Sequence, residues 1–364
     1  MDKYKNKLIK AINYAIESDY EIYKKQLKIN KRLEDAQNVC IFGTGGFFEG
    51  YNCYLKKYDY VIDNDENKIG KLFCGKECIQ IDKLKKLEDV VVVIMIGNYK
   101  EVKKQLDKLG VENYIFYEIF LNVYTEYHNA NWFSDNKNKI LDALEFFEDD
   151  MSKEIYVELI CNRIAPMYSE KTFHELEIKG EYMHKLSENE CMLDAGAYDG
   201  DTIIKFIKQV KGKFNKIYGF ELDKINYENM NENLTSIANR GKIILYNYGV
   251  SNCSKKINYV VSKTGSHVDN IGQASAEIVK IDDILSDKVV TFIKMDIEGA
   301  ELEALEGAKE VICNNSPKLT ISAYHKLEHL WEVPLFIKSL NSNYKLVLRH
   351  NSPLVWDTNC YAYL

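Results

Sequence analysis

The sequence has no apolar stretch long enough to cross a bilayer. Its longest apolar run, Val90 to Ile96, is far short of the roughly 20 residues that a spanning helix needs. Residues 1–38 are charged and helix-like throughout, so neither a secretory leader nor membrane insertion is expected, and the expected location is cytoplasmic. Excess positive charge is also missing. Lys and Arg number 48 against 55 Asp and Glu, a formal net charge of −7, which argues against nucleic acid as a partner. Arginine is scarce beside lysine, which we read as base composition and not as chemistry. Zinc-type spacing is absent from the nine scattered cysteines. Cys74 and Cys78 form an isolated C-x-x-x-C, so free thiols are expected. No low-complexity tract occurs, and nothing repeats beyond two loosely similar strand–helix halves.

What is present is a chain of 364 residues, 46% hydrophobic and 28% charged, long enough for two domains with separate cores. Residues 1–35 read as amphipathic helix, with Leu8, Ile12, Ala15 and Ile16 at helical spacing. Residues 38–118 alternate strand and helix. Strands are expected at Val39–Phe42, Tyr60–Ile62, Val90–Ile96 and Tyr114–Phe116, with a helix near Tyr99–Leu109. Residues 120–188 carry no strand pattern, and Ser134 and Ser152 read as N-caps of two helices. From residue 190 the alternation resumes, with strands at 191–195, 216–221, 243–248, 290–295, 318–323, 344–349 and 359–363. The last two are separated by His350-Asn351-Ser352-Pro353 and read as an antiparallel hairpin. An insertion at 251–288 holds two strand-like pieces, Ile257–Val261 and Glu277–Ile281. The domains expected are 1–120, a small Rossmann-like domain with an N-terminal helix; 121–188, a helical connector; and 189–364, an α/β domain with a seven-stranded sheet.

The most informative stretch is Leu193 to Thr202, LDAGAYDGDT. A short apolar run breaks into a glycine-bearing turn and then a helix. A second run, Lys216 to Phe220, ends on Glu221. A strand, a Gly turn, a helix and an acid at the tip of the next strand make a nucleoside-binding half of a doubly wound sheet. The glycines would let backbone approach a ligand, and the acid can accept both ribose hydroxyls. The spacing D-x-G-x-x-x-G is looser than G-x-G-x-x-G and offers no Lys for phosphates. A phosphate-free ligand such as S-adenosylmethionine therefore fits better.

Asp194 to Thr202, Phe220-Glu221 and Phe292-Ile-Lys-Met-Asp-Ile-Glu-Gly-Ala-Glu301 together resemble the FkbM-family methyltransferases. Pro317 to His325 and the ending from Leu348 to Tyr363 follow that family's course as well, so the resemblance covers about residues 180–364. Leu222 stands where the family often has Pro. The resemblance implies a class I methyltransferase fold and methyl transfer from S-adenosylmethionine to an oxygen, often on a sugar or polyketide. Ile41-Phe-Gly-Thr-Gly-Gly46 with Val61 to Gly70 is similar to small Rossmann-like modules of sugar-modifying enzymes, including nucleotide-sugar acyltransferases. A second nucleotide site at Gly43, Gly45, Gly46 and Asp63 is implied only by that similarity.

Ligands bind at the C-terminal tips of such strands. The cofactor set expected is Asp194, Gly196, Ala197, Tyr198, Gly200, Thr202, Glu221, Leu222, Asn247, Gly249, Val250 and Asp296. Asn247 and Gly249-Val250 would line the adenine, and Tyr198 would pack on the methionine part or cover the turn. Asp296, Glu298 and His325 are the candidate catalytic residues. Asp296 would otherwise be a helix N-cap, and Glu298 and Glu301 ordinary first-turn acids. His325 is read as general base, substrate donor or surface histidine, and His350 carries the same ambiguity. As a base His325 would titrate near 6.5 if unperturbed. Lys294, between Ile293 and Met295, needs an acidic partner if buried. Asp296, Glu298 and His325 could jointly hold Mg²⁺. Gly265-Ser266-His267 would approach substrate or form an ordinary turn.

The expected activity is an S-adenosylmethionine-dependent O-methyltransferase. Its acceptor would be a small molecule or carbohydrate, foremost a sugar or nucleotide-linked sugar in glycan or surface-polysaccharide assembly. A non-catalytic nucleotide-sugar-binding or assembly module is one rival. An NAD-dependent sugar oxidoreductase using Gly43–Gly46 is another, weakened because no dehydrogenase catalytic set follows. The oligomeric state is left open.

Overall fold

The computed structural model describes residues 2–52, 55, 57–96, 99–116, 128–178, 184–237, 239–260, 267–268 and 274–364. The chain divides into two units, Tyr20–Tyr127 and a second made of Met1–Asp19 with His128–Leu364. The single helix expected over residues 1–35 is two, α1 (Asp2–Glu17) and α2 (Glu21–Asp35). Asp19 and Tyr20, with φ of 48° and 53°, sit in the left-handed region and stop the helix between them.

The smaller unit holds β1 (Asn38–Phe42), α3 (Gly46–Tyr51), β2 (Tyr60–Ile62), β3 (Leu72–Phe73), β4 (Lys76–Ile79), β5 (Val90–Ile94), α4 (Tyr99–Leu109) and β6 (Tyr114–Phe116). The sheet order is β3-β4-β2-β1-β5-β6. Every pairing is parallel except β3 with β4. Central strands β1 and β5 are buried from their second residue on, as expected of a parallel strand covered on both faces. The β3–β4 hairpin escaped the sequence reading. Its turn is Cys74-Gly75, both with positive φ, and Cys-Gly is not one of the pairs that flag such turns.

The larger unit opens with α1, whose buried Leu8, Ala11, Ile12 and Ala15 pack on α5 (Ala130–Glu145) and α6 (Asp150–Ile164). Lys7 forms an ion pair with the buried Glu158 of α6. Residues 1–19 therefore pack with the larger unit and not with the small domain to which the 1–120 boundary assigned them. Ser134 and Ser152 are not N-caps. Asn129 Oδ1 accepts from Trp132 N at 2.9 Å, and Asp149 Oδ1 accepts from Ser152 N at 2.7 Å. Both serines thus lie inside the helices. Ser152 Oγ instead accepts from Leu348 N at 3.0 Å.

Then follow α7 (Phe173–Leu176), β7 (Cys191–Ala195), α8 (Asp201–Gln209), β8 (Lys216–Phe220), α9 (Lys224–Asn233) and β9 (Ile243–Tyr246). Just ahead of the insertion comes β10 (Gly249–Val250), and the insertion holds β11 (Lys255–Val260), β12 (His267–Val268) and β13 (Ala274–Val279). These form a separate sheet, β10-β13-β11-β12. Gly265 and Ser266 lie outside the described residues. The chain continues with α10 (Ile281–Leu285), β14 (Phe292–Met295), α11 (Glu301–Glu306), α12 (Lys309–Asn315), β15 (Lys318–Ser322), α13 (His329–Leu340), β16 (Lys345–His350) and β17 (Thr358–Tyr363). The main sheet runs β16-β17-β15-β14-β7-β8-β9. It is parallel except for β17, which pairs antiparallel with both β15 and β16. Ile203 and Phe206 of α8 and Met230 of α9 cover one face against Met192 and Ile217.

The segment expected as a connector is an edge layer of this unit. Glu148 N donates to Leu346 O at 3.0 Å, Ile178 N donates to His350 O at 2.8 Å, and Arg349 pairs with Asp149 at 2.8 Å. Among the described residues, no helix is long and apolar enough to cross a membrane.

Candidate active site

The tips of β7, β8, β14 and β15 gather the expected residues. Gly196, with φ of +76°, follows β7, and a Cβ built there would lie 1.9 Å from the Asp296 carbonyl oxygen. Gly200, with φ of +88°, would press its Cβ on Met230 and Leu234 at 3.2–3.3 Å. A Cβ at Gly249 would meet Leu222 and Ile278 at 2.8–2.9 Å. These glycines thus serve close packing of the chain on itself, and not only the approach of a ligand. The N–H groups of Gly196 and Ala197 both donate to Phe220 O at 3.0 Å, which locks the turn to the tip of β8.

Asp194 is fully buried and lies opposite Lys294 in the β7–β14 register. Lys294 Nζ stands 3.3 Å from Asp194 Oδ1 and donates to Gly196 O at 2.9 Å. This is the partner that the sequence demanded of Lys294. Burial pushes the Asp194 carboxyl up to about 6 although Lys294 opposes it. Lys294 is pushed up by Asp194 and Asp296 against its own burial.

Glu221 is buried at the tip of β8. Its Oε2 accepts from Tyr198 N and its Oε1 from Asp223 N, each at 2.8 Å. Each oxygen keeps a further lone pair. Burial pushes this carboxyl up to about 7, against the two backbone donors. Tyr198 is exposed and strained, with φ of 49°. Asn247 Nδ2 donates to the carbonyls of Glu221 and Leu222 at 2.9 and 3.2 Å. It braces the strand tip with its amide nitrogen, a task the sequence did not reveal. Val250 is buried, and Thr202 Oγ1 turns to Asp201 at 3.3 Å.

Beyond β14 lies a cluster of charge. His325 follows β15, and its side chain is only 5% exposed. Its Nδ1 lies 2.9 Å from Glu301 Oε1, and its Nε2 lies 3.6 Å from Asp296 Oδ1 and 3.4 Å from Glu298 Oε2. Asp296 and Glu298 remain 34% and 30% exposed, so they are the open side of the cluster. Burial disfavours a charged His325, but Glu301, Glu298 and Asp296 outweigh it and push the imidazole up to about 10. The imidazole is thus displaced from the 6.5 of an unperturbed base, in the direction that favours its charged form. Asp296 is not a helix N-cap, since α11 begins after Ala300 without a side-chain cap. Its Oδ1 accepts from the Tyr324 hydroxyl at 3.1 Å. Glu298 sits at φ of 57°, a strained conformation for a side chain of its size that often marks functional turns.

Tyr324, Glu301 and His329 were the residues that sequence reasoning missed or undervalued. Arg163 of α6 also reaches this region, donating to Tyr324 O at 2.8 Å. His350 does not belong to the cluster. It is fully buried, its Nδ1 lies 2.8 Å from Thr358 Oγ1, and burial holds it down to about 3.

In the smaller unit, Asp63 is already engaged. Its Oδ2 accepts from Thr44 N at 3.1 Å, from the Thr44 hydroxyl and from Lys68 Nζ at 2.8 Å, and its Oδ1 accepts from Asp65 N at 3.0 Å. Despite partial burial, those donors hold the carboxyl down to about 2. A Cβ at Gly43 would lie 2.2 Å from Ile96 Cγ2, whereas Gly45 and Gly46 face open space. Gly43 is thus held by close packing and Asp63 by internal hydrogen bonds.

The strand order, with one antiparallel strand inserted next to the far edge, defines the class I methyltransferase fold. Residues 194–345 match the family model described as the methyltransferase FkbM domain, and residues 35–116 match one described as C2185-like, N-terminal. The chain thus carries an FkbM methyltransferase domain, and it is an enzyme of the methyltransferase class. In fold it is similar to the methyltransferase FkbM from Methylobacillus flagellatus KT, with a TM-score of 0.65 at 23% identity over 94% of this chain and 99% of that one. A much weaker likeness, with a TM-score of 0.32 and 11% identity over 50% of this chain and 70% of the other, is to Aeropyrum pernix fibrillarin in complex with natively bound S-adenosyl-L-methionine. No curated protein matches the sequence.

Proposed function

We propose that this methyltransferase takes its methyl group from S-adenosylmethionine and passes it to a hydroxyl of a sugar or nucleotide-linked sugar, in glycan or surface-polysaccharide assembly. The observation that carries the reading is the convergence of Asp296, Glu298 and His325 beside the Gly196 turn, which itself lies one strand from Glu221. The residues fit the donor. Glu221 is a buried carboxylate with a free lone pair on each oxygen, placed to receive the two ribose hydroxyls. Gly196 to Tyr198 form the turn over which the methionine part would lie. The bound donor supplies a methyl group on a sulfonium, whose departure leaves a neutral thioether. Little leaving charge needs stabilising, so positioning dominates.

The acceptor hydroxyl needs a site for its proton. Protonated His325 is a donor that orients the acceptor oxygen, and the more exposed Asp296 and Glu298 carboxylates are the groups that can take the proton. Asp296 and Glu298 are also the groups that would hold a divalent ion such as Mg²⁺, with His325 Nε2 joining them only after losing its proton, and the ion would polarise the acceptor oxygen. The FkbM domain favours this reading over the oxidoreductase and the non-catalytic module.

The test is a scan of sugars and nucleotide sugars with isotopically labelled S-adenosylmethionine, read by mass spectrometry. Labelled product is expected from at least one of them, and turnover in His325→Ala, which removes a donor to the acceptor oxygen, should fall about 10²–10³-fold with cofactor affinity nearly intact. Loss of activity with a chelator and its return with Mg²⁺ would support the ion, and insensitivity would remove it. A full panel without product would sink the sugar assignment.

A further inference from the structure

The sequence offers Glu301 as an ordinary first-turn acid of a helix. Its surroundings are not those of a surface acid. The side chain is fully buried, and both oxygens face imidazoles. Oε1 lies 2.9 Å from His325 Nδ1 and accepts from Ile297 N at 2.9 Å and Gly299 N at 3.4 Å. Oε2 lies 3.2 Å from Nδ1 of His329, which is fully buried at the start of α13. One carboxylate therefore ties together the β14–α11 turn, the tip of β15 and the first turn of α13.

We propose that Glu301 is a positioning residue that sets the mutual placement of Asp296, Glu298 and His325, with His329 holding its second oxygen. The proposal rests on the reading above for which side chains face the acceptor. The geometry supports it in three ways. Ile297 and Gly299 flank Glu298, so the Oε1 contacts fix the strained turn that presents Asp296 and Glu298. The same oxygen faces Nδ1 of His325, which leaves Nε2 aimed between those two acids. A carboxylate that takes one ring nitrogen and so orients the other is a recurrent way to fix a working histidine.

His329 Nδ1 stands 3.2 Å from Oε2, so the two oxygens lie against groups on different elements. Burial alone would raise the Glu301 carboxyl, yet His325 and His329 hold it far below the usual range. Glu301 lies close enough to Asp296 and His325 for the three to share an ion, their donor atoms all within 4.8 Å of one another. Its oxygens, however, already face two imidazoles and two backbone donors, so we assign it to holding the cluster.

The experiment compares wild type, Glu301→Gln, His325→Ala and the double variant, using an acceptor found in the scan. Glu301→Gln should lose about 10–100-fold in turnover with S-adenosylmethionine affinity and acceptor KM unchanged. In the His325→Ala background the same change should cost almost nothing further, because glutamine still offers an oxygen to Ile297 N and Gly299 N and the rest of its effect passes through His325. A merely structural role would instead multiply the two losses. If Glu301→Gln does not fold, His329→Gln replaces it, and its smaller loss should likewise vanish in the His325→Ala background.

¹⁵N-histidine NMR gives a readout that needs no acceptor. The His325 and His329 ring signals should both shift in Glu301→Gln relative to wild type. Equal losses in both backgrounds, or unmoved His325 ring signals, would overturn the proposal. A panel in which wild type methylates nothing would defeat the acceptor reading alone, while the ring signals would still decide the role of Glu301.

Discussion

On the proposed reading, Glu221 would link donor binding to pH in a way that can be measured. Its carboxyl is pushed up to about 7 in the folded protein, mainly by burial, with Asp223 adding to the shift and Lys294 and two backbone donors opposing it. The unfolded value is near 4.5. The folded state therefore holds the proton more tightly than the unfolded state does. That contribution to stability is complete below pH 4.5 and is lost as pH rises through 7. The gap between 4.5 and 7 corresponds to about 3 kcal/mol.

Two ribose hydroxyls donate best to the ionised carboxylate, so a donor molecule binding there must drive the proton off. The affinity of the ligand-free enzyme for S-adenosylmethionine should rise about tenfold per pH unit below 7 and level off above it. Glu221→Gln removes the ionisation and should bind about tenfold to a hundredfold more weakly at pH 8, with that slope gone. Titration calorimetry from pH 5.5 to 8.5 reads the affinities. Asp194, which titrates near 6, would be the source of any slope left in Glu221→Gln. Wild-type affinity that is flat across this range, or a full slope retained in the variant, would refute the ribose assignment.

Three further outcomes test the architecture. Lys294→Met strands the buried Asp194 carboxylate and should cost about 3–5 kcal/mol by denaturant titration, and adding Asp194→Leu should recover much of it; a loss under 1 kcal/mol would mean the pair is not buried as described. Gly196→Ala sets a methyl against the Asp296 carbonyl and should cost several kcal/mol, whereas Gly45→Ala, with nothing within 4 Å, should stay within about 1 kcal/mol on the same titration. Deleting residues 1–19 uncovers the faces of α5 and α6 that Leu8 and Ile12 bury, worth about 1.5–3 kcal/mol for each large side chain, so a fragment starting near residue 120 should bind S-adenosylmethionine but melt well below the full chain. Equal melting temperatures would place α1 outside the larger unit.

The sequence by itself determined the alternation of strands and helices, the seven strands of the main sheet and its closing antiparallel pair. Period and apolar runs carry that information locally, as in Cys191–Ala195 and Phe292–Met295. It also marked Asp194, Gly196, Glu221, Asp296 and His325 as a group, because their spacing follows strand tips. Only the tertiary structure decided where helix α1 belongs, since an apolar helix face does not name the surface that covers it. The caps Asn129 and Asp149 were legible in residue type, yet Ser134 and Ser152 offered the same chemistry five and three residues further on. The raised pKa of His325 and the proposed role of Glu301 depended on five side chains, Asp296, Glu298, Glu301, His325 and His329, meeting in a largely buried cluster past the ends of β14 and β15 and at the starts of α11 and α13. Electrostatic shifts of that kind grow from proximity and burial together, and neither is written in the order of the residues.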